Sequence, residues 1–320
     1  MALSIIFWGF CLKPKSGNFL KENLNLISFL NFENKSKEII LLTVGDIMLN
    51  RGVAQMVSKK GGGDFSYVFE NLHGFKDGAD ILLGNLEGPI SDQGADTGNL
   101  YSFRMSLKIL PALKKVGFDV LNVANNHAGD WGRIAFVDSL NHLAANRFAY
   151  VGGGLTKAEA EEPVIIEKNG LKVGFLGFSD VGPSWLVATE QDAGILLASN
   201  FRFADIISQA AKQTDVLIVT IHFGEEYQKI HNDKQEQIAK KALMAGATAV
   251  IGHHPHVVQD EETINNQYIA YSLGNFVFDQ NFSAETMSGL ALKLKLSQDG
   301  VVGVEKLPIF INNNFQPSFR

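Results

Sequence analysis

The chain has 320 residues, of which 46% are hydrophobic and 19% charged, and its net charge is −6. An acidic chain with no basic stripe argues against a nucleic-acid binder. The single cysteine, Cys11, excludes an internal disulfide and a thiolate metal site, so any metal must be held by His, Asp, Glu and Asn.

The chain opens with "MALSIIFWGFCL", twelve residues without a charge. A membrane-spanning helix needs about 20 residues, and a secretory signal needs a positive start and a small-residue cleavage site, neither of which is present. Residues 1–38 therefore read as a leader or linker, with a degenerate export signal or anchor as the alternative. Residues 39–320 read as one domain, with no linker dividing it.

From residue 39 a pattern recurs: an apolar, β-rich run ends in a small polar cluster, and a helical stretch follows. The runs are "IILLTVGD" (39–46), "ADILLGNLE" (79–87), "FDVLNVANNH" (118–127), "LKVGFLGFSD" (171–180), "DVLIVTIHFG" (215–224) and "ATAVIGHHPH" (247–256). Continuous rather than alternating apolarity predicts strands buried on both faces, as in a layered α/β fold. "DKQEQIAKKALMAGA" reads as a helix opened by Asp233 and Glu236 in capping-box spacing. Asn169-Gly170 predicts a hairpin, and 59–64 and 91–99 read as surface loops. "YIAYSLGNFVFD" and the segments after it predict antiparallel strands, so the sheets should be mixed.

In open α/β sheets, sites form at the carboxyl ends of strands. Five of the six runs end there in side chains able to bind a metal: Asp46; Asn85 and Glu87; Asn125, Asn126 and His127; His222; and His253, His254 and His256. Singly, each has a duller reading. Asp46 could cap a helix, His222 could be a hydrogen-bonded core histidine, and the asparagines could belong to turns. Their joint occurrence favours a site, and imidazole with carboxylate and amide oxygen suits Mn, Zn or Fe. Pro255 should hold His254 extended, so that His254 and His256 share a face while His253 points away.

The order of these clusters resembles the calcineurin-like metallophosphoesterase superfamily. The phrases "GDIMLNRGV", "GNLEGPI", "NVANNHAGDWG", "IHFGEEY", "GHHPHVVQ" and "YSLGNFVFDQ", from Leu41 to Phe282, are similar to its CapA branch of capsule and poly-γ-glutamate synthesis proteins. The resemblance implies a four-layer α/β/β/α sandwich with two mixed sheets and a metal centre between them. It implies Asp46 as the bridging ligand, Asn126 and His222 as further ligands, His254 and His256 as the final pair, and His127 as the acid for the leaving group. Two positions depart from the superfamily pattern. Met48 stands where the phosphatases carry a histidine, and Asn85 where they carry a second bridging aspartate. The expected centre thus has one good position (Asp46, Asn126, His222, His254) and one weakened position (Asp46, Asn85 or Glu87, His256).

One or two divalent transition metals could support hydrolysis of a phosphoester or of an amide in a γ-linked glutamyl polymer. Glu87 and His127 are then the acid/base candidates. Glu225 and Glu226 could orient ligands or belong to a solvated loop, Asn275 could hydrogen-bond in the site, and Arg51 or Arg104 could pair with an anionic substrate. Trp185 is either a platform on a lid or a buried anchor. The alternative to an enzyme is a non-catalytic accessory module that binds the polymer or membrane-bound synthesis subunits. The resemblance implies an extracytoplasmic, membrane-associated location, with the cytoplasm as the alternative.

Overall fold

A computed structural model describes residues 37–319; the expectation for the leader lies outside them, up to Ser36. The apolar runs build two sheets. The first runs in the order Pro317–Phe319, Gly300–Ile311, Ser288–Ser297, Ile39–Ile47, Ile81–Leu86, Val120–Asn122 and Ala149–Val151, with Asn275–Val277 also paired to Ile39–Ile47. The second runs Glu261–Ile264, Gln267–Ala270, Ala249–His253, Val216–His222, Leu171–Ser179 and Val164–Lys168. Both are mixed: the strands that end in polar clusters pair parallel, and hairpins add antiparallel edges.

Alternate residues of these strands fill different layers, because strand side chains alternate between faces. Leu41, Leu83 and Val120 pack between the sheets with Phe175, Ile218 and Ile251. Their neighbours Leu42, Leu82 and Leu121 point out to Val53, Leu113 and Leu140 of three helices. On the far side Leu176, Val219 and Val250 meet Phe203, Ile207, Ala239 and Leu243. The result is the four-layer α/β/β/α sandwich, and two-sided burial is why the runs are continuously apolar. Among the described residues no helix is long and apolar enough to cross a membrane.

Several details differ from expectation. The run 118–127 is strand only at Val120–Asn122, because "ANNHAGD" turns away at once. The helix Asp233–Met244 is capped by Asn232, whose side chain accepts from the Gln235 backbone N–H in a reciprocal capping box. Asp233 and Glu236 fall instead in its first turn, where a carboxylate complements the positive end of the helix dipole. Of the segments expected to be antiparallel, Ser288–Ser297 and Gly300–Ile311 pair so, and Gln267–Ala270 pairs antiparallel with Glu261–Ile264 but parallel with Ala249–His253, while Asn275–Val277 pairs parallel with Ile39–Ile47. The Asn169-Gly170 hairpin forms as expected, with φ of 51° and 76° at its corner.

The register sets the site. Asp46 lies opposite Asn85 and Asn275, and Asn85 opposite Asn122. In the second sheet Ser179, His222 and His253 are in line. The carboxyl ends of both sheets therefore deliver polar side chains to one place.

Candidate metal centre

Asp46 is fully buried at the centre. Its Oδ1 accepts from Asn85 Nδ2 at 2.8 Å and lies 3.4 Å from His253 Nδ1. Its Oδ2 accepts the His254 backbone N–H at 3.3 Å and lies 3.3 Å from His256 Nδ1. Burial alone would raise its carboxyl pKa. The adjacent imidazoles of His253 and His256 outweigh that, and hold it well below the usual carboxylate range.

Glu87 is the opposite case. It too is fully buried, and burial together with the charge of Asp46 pushes its carboxyl well up. Its Oε1 stands 3.8 Å from His127 Nε2 and 3.7 Å from His256 Nε2, with no hydrogen-bond partner. The pKa values of two adjacent carboxyls are thus pushed in opposite directions, the arrangement that lets neighbouring acids take different roles.

His222 bonds through Nε2 to Asn126 Oδ1 at 2.8 Å, and its Nδ1 lies 3.3 Å from Asn85 Nδ2. Burial and the neighbouring His254 keep its pKa well below normal. His254 is lowered to about 3 by burial and the charge of His256, so it is neutral with a free lone pair at pH 7. His256 is raised to about 9: burial works against its charge, but Glu87 and Asp46 prevail. Its Nδ1 also lies 3.0 Å from Asn275 Oδ1, so Asn275 does hydrogen-bond in the site.

The histidine segment departs from its expected shape. The strand stops at His253, and His254 and His256 have φ of 102° and 58°. Pro255 does not hold His254 extended. The chain curls instead and brings all three imidazoles inward, so His253, expected to point away, faces Asp46. Asn85 also differs from expectation. Its Oδ1 is occupied by Asn122 Nδ2 at 2.9 Å and Asn125 Nδ2 at 3.5 Å, so it offers the centre a nitrogen rather than a ligand oxygen.

His127 Nδ1 is 2.7 Å from Asp130 Oδ2, and its ring lies against Phe103 with centroids 3.9 Å apart. Asp130 was not anticipated, nor was Asn122. The only sequence signal for Asp130 is its His-x-x-Asp spacing in a turn. Arg104 stacks on Trp131 at 3.5 Å and bonds to loop carbonyls, away from the centre. Trp185 is half exposed and rests on Gly129, so it is no buried anchor. Glu226 is exposed at the mouth, and Glu225 is exposed beside it.

Two groups of side chains could each hold an ion: Asp46, Glu87 and His222, and Glu226, His254 and His256, with the ligand atoms of each group within 4.8 Å of one another. The rings of His222 and His254, expected to serve one ion, lie side by side with centroids 4.8 Å apart. Glu87 Oε1, Asn125 Oδ1, both ring nitrogens of His253 and His254 Nδ1 are buried without hydrogen-bond partners. Buried polar atoms are costly when unpaired. The donor set is oxygen and imidazole, with no sulfur among the described ligands, and it fits a divalent transition metal.

Comparison with known proteins agrees with this reading of the fold. Residues 40–280 match the family model described as "Bacterial capsule synthesis protein PGA_cap". The chain is 36% identical over 275 residues to the PGA biosynthesis protein CapA of Bacillus subtilis (strain 168), covering 84% of this chain and 70% of that one. It is 32% identical over 289 residues to the capsule biosynthesis protein CapA of Bacillus anthracis, covering 87% and 68% respectively. A crystal structure of a hypothetical protein from Thermus thermophilus shares the fold at 15% identity, with a TM-score of 0.51, covering 84% of this chain and 98% of that one.

Proposed function

The chain belongs to the bacterial capsule synthesis protein family, and from that premise we propose that it is a metal-dependent hydrolase acting on an anionic, γ-linked glutamyl polymer during capsule or poly-γ-glutamate synthesis. The observation that carries this reading is the set of unpartnered, buried donor atoms around Asp46. A scaffold gains nothing from burying Glu87 Oε1 and ring nitrogens of two histidines, His253 and His254, without partners, and each such atom costs on the order of 1–3 kcal/mol.

Asp46, Glu87 and His222 would hold one divalent ion, and Glu226, His254 and His256 a second. Mn, Zn or Fe suits both sets. A bound ion supplies a polarised substrate oxygen and a water of lowered pKa. The chain's own groups do the rest. His127 faces the cavity with Nε2 while Asp130 holds Nδ1, so it can give a proton to the leaving nitrogen or oxygen. Glu87, whose carboxyl pKa burial raises, stands 3.8 Å from His127 Nε2 and is the second group able to move a proton there when it is not holding the ion. Asn126 and Asn275 fix the rings of His222 and His256.

A second reading, a non-catalytic module that binds the polymer and membrane-bound synthesis subunits, is favoured by one observation: Asn85 turns nitrogen, not oxygen, to the centre. Elemental mass spectrometry on the purified chain separates the two. The hydrolase reading expects about one or two equivalents of transition metal, lost in Asp46→Ala. A chain that takes up no metal even after incubation with Mn or Zn overturns it and leaves the binding module.

A further inference from the structure

Arg51 opens the helix Arg51–Lys60 with a left-handed backbone, φ 45°. A non-glycine residue there costs on the order of 1 kcal/mol or more and persists only where its surroundings hold it. Asp279 does so. Its Oδ2 accepts Arg51 Nε at 3.1 Å and the Gly52 backbone N–H at 2.9 Å, and its Oδ1 accepts Arg51 Nη2 at 2.5 Å. Gly52 leaves the room for this clamp, since a Cβ there would come within 3.0 Å of Asp279 Oδ2. The guanidinium also lies over two rings, 5.0 Å from the centre of Phe103 and 5.5 Å from that of Tyr101.

This clamp fixes the fork but does not exhaust it. Of five N–H groups, Asp279 takes two. Nη1 has no protein partner among the described residues, and the side chain stays 32% exposed. It opens on a cavity of about 170 Å³ that Arg51 shares with His127, His256, Tyr227 and Phe282. Phe103 lies between Arg51 and His127 and touches both, so the fork and the proton donor flank one ring. The cavity is smaller than the roughly 300–1,000 Å³ pockets that enclose drug-sized ligands, and suits a single monomer unit.

We propose that Arg51 is the specificity-determining residue of this cavity: it receives the free α-carboxylate of the γ-linked glutamyl unit presented to the metal centre. The assignment rests on the polymer reading above. A guanidinium only donates, and its planar fork matches a carboxylate or a phosphate. In a γ-linked glutamyl chain each unit keeps one free carboxylate, next to its own backbone amide. Aromatic walls accept the methylenes between them. Asp279 is spent on Arg51, and Glu226, which also lines the cavity, groups with His254 and His256 as a candidate ion ligand.

Calorimetric binding to the full-length, metal-loaded chain tests this with tetra-γ-glutamate, the same oligomer with its α-carboxylates converted to carboxamides, and inorganic phosphate as competitor. The wild type should bind the acid roughly tenfold to a hundredfold more tightly than the carboxamide, the worth of one or more charge-assisted hydrogen bonds. Arg51→Gln should bind the two alike, and Arg51→Lys, which keeps the charge and the partner Asp279 but not the fork, should fall between. The wild-type comparison needs no variant to fold. Equal binding of acid and carboxamide, or discrimination that survives in Arg51→Gln, overturns the role of Arg51 and leaves the polymer reading standing. A wild type that binds neither oligomer overturns both. If phosphate still binds there in an Arg51-dependent way, the occupant is a phosphate group instead.

Discussion

Asn85 presents nitrogen to Asp46: its Nδ2 lies 2.8 Å from Asp46 Oδ1, while its own Oδ1 is engaged by Asn122 and Asn125. The amide thus neutralises part of a buried carboxylate by hydrogen bonding, in the place where a second carboxylate would instead need a cation. Asn85→Asp should reverse this balance. Without metal, a third carboxyl beside Asp46 and Glu87 should lower the melting temperature by at least about 2 °C, the effect of roughly 1 kcal/mol in a chain of this size. With metal, elemental mass spectrometry should find more ions per chain than in the wild type. Unchanged metal content in the variant would show that Asn85 does not limit the second position.

Metal binding should be pH-dependent in a defined direction. His254, lowered to about 3, offers a bare lone pair throughout the neutral range. His256, raised to about 9, carries a proton that an ion must displace, and the raised carboxyl of Glu87 acts in the same direction. Affinity should therefore increase as pH rises from 6 toward 9, about tenfold per pH unit for each proton displaced, and level off above the His256 value. Calorimetry in buffers of different ionisation enthalpy counts the protons released. An affinity that is flat across that range would mean His256 binds no ion.

Asp130 should matter to turnover and not to metal content. It bonds His127 Nδ1 at 2.7 Å, and also accepts the Phe103 N–H at 2.8 Å and Asn99 Nδ2 at 2.8 Å. Asp130→Asn keeps the shape but replaces one acceptor with a donor, so His127 loses the partner that fixes which nitrogen carries the proton. Hydrolysis of a γ-glutamyl oligomer should drop roughly 10- to 100-fold at unchanged metal content, with a shifted pH profile. A variant as active as the wild type would remove His127 from the proton path.

These relationships divide into those that periodicity exposes and those it does not. The strand ends were legible because burial on both faces makes each run apolar until the moment it reaches the site, so Asp46, Asn85, His222 and the histidine cluster stand out against their own strands. The four layers follow from the same pattern. The direction of His253 was not legible, because alternation predicts side-chain facing only while the backbone stays extended, and it curls immediately afterward at His254. Asp130 was hidden for a related reason: it meets His127 through a turn, where spacing carries no fixed geometry. Asn122 looked like one more strand residue. Its role as a bridge between Asn85 and the Ala124 carbonyl depends on register across strands. The cap at Asn232 rather than Asp233 is a one-residue ambiguity, since both side chains can accept the same bond.

The glycines that precede the site residues offer the sharpest test of how fold and site are joined. Gly45 precedes Asp46 and Gly252 precedes His253, and neither needs a positive φ, so conformational freedom is not the reason for them. Space is. A Cβ at Gly45 would overlap the Gly274 carbonyl oxygen, and one at Gly252 would overlap the Tyr271 carbonyl oxygen. Both obstacles are backbone, held by the Asp46 N–H to Gly274 and Leu273 N–H to Gly252 hydrogen bonds, so they cannot rotate away as a side chain could. These close approaches draw the 271–275 segment against both sheets, which places Asn275 beside His256. Gly252→Ala should therefore cost about 3 kcal/mol or more, at or beyond the upper end for overpacking, and lower metal affinity with it because Asn275 is drawn away from His256. Gly303→Ala is the control: a Cβ there meets only the Lys295 side chain, at 3.3 Å, and should change stability by less than about 1 kcal/mol. Denaturant unfolding of both variants gives the comparison. A Gly252→Ala chain as stable as Gly303→Ala, and binding metal as tightly, would mean that the strand ends tolerate separation and that the site does not depend on this contact.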